Sequence, residues 1–196
     1  MQARRENYWA KTMRIAVIVL LQLVVTLFAG PLFAADNDPK NIAGYDKTVW
    51  GMSEDEVLAA EGPRAERLEK PSTMVNGDIV SIVIKELEVA GIQFSAYFIF
   101  DSQNRKLSAV GLQSVIDIGV TVETALSRIE KLLAETYGPA TDNKTGKNIL
   151  WELPKTTIEL LGVDLKLPIT STKPIRMILI SYRSTRGGND ASRQSL

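Results

Sequence analysis

The chain has no cysteine and no histidine among its 196 residues. Their absence excludes Cys and His nucleophiles, imidazole general bases, Cys/His zinc sites, haem attachment and disulfides. There is no excess of charge either, with Lys+Arg at 23 and Asp+Glu at 23. That balance hides two unlike parts. Arg4, Arg5, Lys11 and Arg14 make a basic start opposed only by Glu6. Residues 15–28 follow as an apolar run broken only by Gln22 and Thr26. Ala29-Gly30-Pro31 interrupts it, and Ala34-Ala35 places small residues before Asp36. Basic, apolar, breaker, small is the order of a secretory signal peptide, here residues 1–35. A helix crossing about 30 Å of hydrocarbon needs roughly 20 apolar residues, more than this run supplies. The alternative is an uncleaved anchor at 15–35, with the basic flank cytoplasmic. Leu32 and Phe33 are bulky for the position three before a cleavage point. No Cys follows the run, so there is no lipoprotein acylation site. The expected location is periplasmic, or inner-membrane if the anchor is retained; only in that second case is a membrane a partner.

From Asp36 onward 161 residues remain, with Lys+Arg 19 and Asp+Glu 22, a net charge of −3. A mildly acidic domain argues against nucleic acid as a partner. An exported chain without disulfides must rely on an ordinary core, and this length can bury one.

Residues 36–44 (DNDPKNIAG) read as a flexible lead-in, and RSTRGGNDASRQSL after Tyr182 as a disordered tail, assigned to 184–196. The folded domain is expected at 45–183. Ser53 with Glu56 three residues on forms a capping box, and Met52 and Val57 suit a hydrophobic staple. Gly62-Pro63 ends that helix. A second helix starts at Thr121, with Val122, Ala125, Leu126, Ile129, Leu132, Leu133 and Tyr137 on one apolar face and Gly138-Pro139 as its stop. Strands are expected at 78–89, 92–100, 106–114, 148–153, 156–162, 165–167 and 175–182, with neighbours pairing as hairpins. Phe94, Ala96, Phe98 and Phe100 share one parity and Gln93, Ser95 and Tyr97 the other, the pattern of a strand with one face on a core. Met177 to Ile180 is apolar on both faces and predicts a central strand.

Gly51-Met52-Ser53-Glu54-Asp55-Glu56-Val57-Leu58 aligns with Gly119-Val120-Thr121-Val122-Glu123-Thr124-Ala125-Leu126. One reading is a duplicated unit of a helix and a small antiparallel sheet, at 45–116 and 117–183. The other is that caps and Gly-Pro stops recur because every helix needs them. The expected fold class is α+β: two helix-plus-antiparallel-sheet units with helices packed on one face of the sheets.

Trp50-Gly51-Met52-Ser53-x-x-Glu56-Val57, a Gly-Pro, and a strand pair with Tyr97–Phe100, Asp101 and Leu107 together resemble the SmpA/OmlA type of bacterial envelope domain. The duplicated form resembles the beta-lactamase-inhibitor-protein fold. Tyr137-Gly138-Pro139 followed by Trp151-Glu152-x-Pro154-x-Thr156-Thr157-Ile158 is similar to segments of exported proteins of this kind. The resemblance implies that fold, a cell-envelope location, and binding of other proteins through a sheet face. The chain lacks the lipidated Cys of the outer-membrane assembly lipoproteins, which argues against that scaffold role.

No catalytic constellation is found. Glu54, Asp55 and Glu56 crowd a helix N-terminus, where they interact favourably with its dipole. Glu86 and Glu88 read as a solvated strand edge. Asp36-Asn37-Asp38 and the Asp142–Gly146 turn lack the distal Glu of a calcium loop. The folded part has no Ser-x-x-Lys, no Gly-x-Ser-x-Gly and no phosphate-cradling loop. The expectation is a protein that is not an enzyme, with no cofactor, no metal and no identified small molecule. A hydrolase using carboxylates alone would need two of them facing one pocket.

The expected activity is binding of an envelope protein or peptide through the open sheet face, or, with the anchor retained, an envelope-assembly or structural role at the inner membrane. Trp50, Phe94, Phe98 and Phe100 are expected in the core. Tyr97 and Lys85, on the polar parity of their strands, and Trp151, between Asn148 and Glu152, are the candidate contacts, since an exposed Tyr or Trp makes a good anchor.

Overall fold

In a computed structural model describing residues 40–115, 120–143, 147–165 and 175–185, Ser53 opens the first helix as its spacing predicts. Helix α1 spans Glu54–Glu61. The Ser53 amide donates to the Glu56 carboxylate at 2.7 Å and the Glu56 amide donates back to the Ser53 hydroxyl at 3.4 Å, completing the box. Gly62 (φ 68°) takes the left-handed turn, and Pro63 sits in the 3-10 turn that follows, Gly62–Arg64. Helix α2 spans Val122–Tyr137, with Thr121 accepting from the Thr124 amide and Gly138 closing it at φ 89°. Val122, Ala125, Leu126, Ile129 and Leu133 are buried as predicted, but Leu132 points outward, 39% exposed.

Two short strands, β1 (Gly44–Tyr45) and β2 (Thr48–Val49), pair before α1. The remaining strands are β3 (Ala65–Thr73), β4 (Ile79–Val89), β5 (Ile92–Phe100), β6 (Leu107–Val115), β7 (Asp142–Asn143), β8 (Asn148–Glu152), β9 (Thr156–Leu165) and β10 (Ile175–Ser184). They form one antiparallel sheet in the order β3-β4-β5-β6-β10-β9-β8-β7. The expectation of separate small sheets is therefore corrected. β6 and β10 pair continuously from Val115↔Met177 to Ala109↔Arg183 and fuse the halves into eight strands. β10 is central, as its two-faced apolar run predicts. β3 and β7, one at each edge, were not foreseen. The tail reading is corrected at its start, because Arg183 and Ser184 pair with Thr157 and Thr156 in β10. Leu165 closes β9 rather than opening another strand. The leader at 1–35 and residues 166–174 and 186–196 lie outside the described residues.

Alternation builds the core. The ladders align Ile84, Ala96, Leu112, Ile180, Leu160 and Ile149 across six strands, and Ile82, Phe98, Val110, Tyr182, Ile158 and Trp151 beside them. All are buried in one cluster that also holds Val57 of α1 and the buried stripe of α2. Each large aliphatic side chain so buried contributes about 1.5–3 kcal/mol. Gly162 makes room for α2: a Cβ there would lie 2.5 Å from Leu126 Cδ1 and 2.7 Å from Val122 Cγ1. Of the segment read as a lead-in, residues 36–39 lie outside the described residues; at Ile42 the carbonyl accepts from the Thr156 hydroxyl at 2.7 Å, and the same hydroxyl accepts the Trp50 indole N–H at 2.9 Å.

Candidate binding face

Val83 of β4 and the odd-numbered residues 93–99 of β5, 109–113 of β6 and 177–183 of β10 take the opposite side of the sheet. One row runs Val83, Tyr97, Gly111, Ser181, Glu159 and Leu150, and a parallel one Ser95, Gln113, Leu179, Leu161 and Asn148. Tyr97, Ser181, Glu159, Leu150, Leu179 and Leu161 are half-buried, and Gln113 is exposed. Val83, Ile99 and Ala109 on this side are buried. The face is thus more apolar towards β4–β6 than alternation with polar residues alone predicts.

The β4–β5 ladder breaks between Ile84 and Leu87, so Lys85 and Glu86 bulge opposite Ser95. Glu86 holds φ 57°, a left-handed conformation that a non-glycine residue adopts at a cost of about 1 kcal/mol or more. Beside the bulge is a hollow of about 720 Å³, lined by Lys85, Glu86, Gln93, Ser95, Tyr97 and Gln113, with Phe94 and Ser114 completing it. Bulges commonly re-aim side chains at such places. Among the described residues the two side-chain amides make long contacts, Gln93 to Glu88 at 3.4 Å and Gln113 to the Met177 sulfur at 3.6 Å. The Ser114 hydroxyl is buried with no hydrogen-bond partner among the described residues.

Two of the three candidate contacts therefore meet: Tyr97 and Lys85 line one hollow. Lys85 is exposed and ion-paired with Glu66 of β3; the hydrogen bond it donates to Glu66 and then the Glu66 charge raise the Lys85 pKa. Trp151 is corrected. It is 0% exposed, and its indole N–H donates to the Gly138 carbonyl at 3.0 Å, so it packs inside the core and presents nothing to a partner. Trp50 is half-buried against the cluster, and Phe94, Phe98 and Phe100 lie within it.

The first-turn carboxylates are engaged structurally. Glu54 pairs with Arg67 and Arg105, and Asp55 pairs with Arg67. The Ser53 backbone and then its hydroxyl hold the Glu56 carboxyl below its ordinary pKa. Glu86 is the one carboxylate lining the hollow. Sequence reasoning passed over Glu61, which is 1% exposed at the end of α1. Its Oε2 accepts from Arg64 Nε at 2.9 Å, its Oε1 has no partner among the described residues, and Arg64 also pairs with Asp46. The signal for it was an acid directly before Gly-Pro with Arg three residues on. Burial raises the Tyr45, Tyr137 and Tyr182 phenols above their ordinary pKa. Among the described residues no group of three acidic side chains could hold a metal ion, and no helix is long and apolar enough to cross a membrane.

No family model matches the chain, and no curated protein or solved structure matches it significantly.

Proposed function

We propose that this protein is a non-catalytic, exported module that binds a protein or peptide through the face of the sheet carrying Tyr97. The observation that carries the reading is the division of the sheet. The rows through Ala96 and Phe98 share a buried cluster with both helices, while Tyr97, Leu150, Glu159, Leu161, Leu179 and Ser181 stay half-exposed on the other side. A half-exposed Tyr offers large contact area with few rotatable bonds to freeze. The edges are poor alternatives. β3 carries Glu66, Arg67, Glu69, Lys70 and Pro71 and slips register between Arg67 and Ser72, features that discourage strand addition. β7 has two residues.

The finer architecture belongs to the same proposal: two units, each a helix followed by four strands, with both helices on one face. The strand order supports it, because β3-β4-β5-β6 from one edge mirrors β7-β8-β9-β10 from the other. That arrangement agrees with the SmpA/OmlA-like and beta-lactamase-inhibitor-like resemblance, and the basic, apolar and small-residue leader supports delivery to the periplasm.

The test is recovery of bound protein from envelope extract by the wild-type chain and by Tyr97→Ala. We expect the variant to lose a partner while keeping its thermal midpoint. Recovery of the same partner at the same yield by Tyr97→Ala and Lys85→Ala would remove this face from consideration.

A further inference from the structure

We infer that the hollow beside Tyr97 receives a cationic side chain, a lysine or arginine from a basic segment of the protein partner. This rests on the reading of the face as a protein-binding surface and supplies the chemistry of the contact. The argument is charge. Glu66 pairs in register with Val83, and Glu88 with Gln93, so both carboxylates stand on the Tyr97 side. Glu86 lines the hollow itself. Glu69 of β3 is near enough to act on the Lys85 ammonium. Lys85 is the single cation in the lining, and Glu66 already occupies it. Arg67, the next cation along β3, is turned to Glu54 and Asp55 of α1. Lys70 follows Glu69 on β3, so the border counts Glu66, Glu69, Glu86 and Glu88 against Lys85 and Lys70, more negative than positive charge.

An anionic segment would have to displace Glu66 from Lys85 while facing Glu69, Glu86 and Glu88. A cation meets the reverse situation. It can lie over the half-exposed Tyr97 ring, whose face attracts it, with Glu86 and Glu88 on one side and the carbonyl oxygens of Gln93 and Gln113 available as acceptors. The bulge at Lys85-Glu86 puts the Glu86 carboxylate at the rim instead of in the regular alternation.

The experiment uses protein purified after expression of the full chain and three capped repeat peptides of equal length, Gly-Lys, Gly-Ser and Gly-Glu, followed by the amide NMR shifts of Gln93, Ser95, Tyr97 and Gln113. We expect the Gly-Lys peptide to move these resonances and the other two to leave them in place. Each of Glu86→Asn, which tolerates the left-handed backbone, and Glu88→Gln should weaken Gly-Lys binding about threefold. Raising salt from about 0.02 M to about 0.3 M should weaken it further, and Glu152→Gln on distant β8 should leave it unchanged. Gly-Lys binding that survives both Glu86→Asn and Glu88→Gln overturns the inference. If Gly-Ser moves the same amides equally, the cation specificity falls and the face reading stands. If none of the three peptides acts, the inference falls, and the Tyr97→Ala recovery experiment decides the face reading separately.

Discussion

The indole N–H of Trp151 donates to the carbonyl of Gly138 across 3.0 Å, tying β8 to the residue that closes α2. This contact makes Trp151 a structural residue. Truncation to Ala should cost about 3–5 kcal/mol, the range for a large aromatic removed from a packed core. Trp151→Phe keeps most of the volume but strands the Gly138 carbonyl, so part of that loss should remain, about 1–3 kcal/mol. Denaturant unfolding of both variants beside Tyr97→Ala checks the contrast. Tyr97→Ala should stay within about 1 kcal/mol of wild type, since its side chain is only half-buried on the outer face. A Trp151→Ala variant as stable as Tyr97→Ala would contradict the assignment.

Gly162 should resist any side chain. It sits opposite Ile178 in the β9–β10 ladder, beneath Leu126 and Val122 of α2. Leu126 Cδ1 is the end of a flexible chain and can move, but Val122 is β-branched and stiff. Gly162→Ala should therefore destabilise by about 1–3 kcal/mol, and Gly162→Val by more. Combining Gly162→Ala with Val122→Ala should recover part of the loss, which a double-mutant cycle on thermal unfolding would measure. Additive effects would mean that α2 does not press on this strand.

What could be read in advance was what local chemistry encodes. Ser53 and Thr121 announce their helices because each must supply an acceptor to free amides within three residues, and Gly62-Pro63 and Gly138-Pro139 stop them for reasons internal to the backbone. The parity of Phe94, Ala96, Phe98 and Phe100 separated core from surface in β5. Trp151 reads as a surface residue by its polar neighbours Asn148 and Glu152, whereas its parity with Ile149 places both in the core. β3 escaped notice because an edge strand needs no apolar face. Its Arg67 turns towards α1 and its Glu66 towards the other side. The fusion of the sheet through β6 and β10 joins segments over 60 residues apart, and nothing local specifies it. The hollow depends on Glu86 adopting φ 57°, which has no sequence signature in a non-glycine residue.

Arg64 should matter more than an ordinary surface arginine. It is the hydrogen-bonding partner of Glu61, whose side chain is fully buried, and also reaches Asp46 in the β1–β2 turn. Removing it leaves a buried carboxylate alone, a change that costs about 3–5 kcal/mol when both partners are buried. Arg64 is 36% exposed, so water weakens the pair and a loss of about 2–3 kcal/mol is expected for Arg64→Met. Glu61→Leu in the same chain should restore most of that stability. Urea midpoints of the two single variants and the double variant test this; a double variant less stable than either single would show that the charge is not the cause.

The protein should lose stability in alkali through its buried phenols. Tyr45, Tyr137 and Tyr182 are raised above 10.0 first by burial, and Tyr45 also by the nearby Asp46 and Glu61 carboxylates. A raised folded-state pKa means that the folded chain holds its phenolic proton where the unfolded chain releases it. The stabilisation is therefore complete below about pH 10 and falls above it, by about 1.4 kcal/mol per pH unit for each such tyrosine. The Tyr45 and Tyr182 rings lie 5.1 Å apart, and Tyr137 and Tyr45 both raise the Tyr182 phenol through their charge, so ionisation of one opposes ionisation of its neighbours. Unfolding free energy measured from about pH 8 to about pH 12 should be flat and then drop. Phenolate absorbance from these three should rise together with loss of far-ultraviolet ellipticity instead of before it. Tyr45→Phe should reduce the alkaline slope, because one raised phenol no longer distinguishes the folded from the unfolded chain. Phenolate signal from all three appearing while the sheet is still intact would overturn this account.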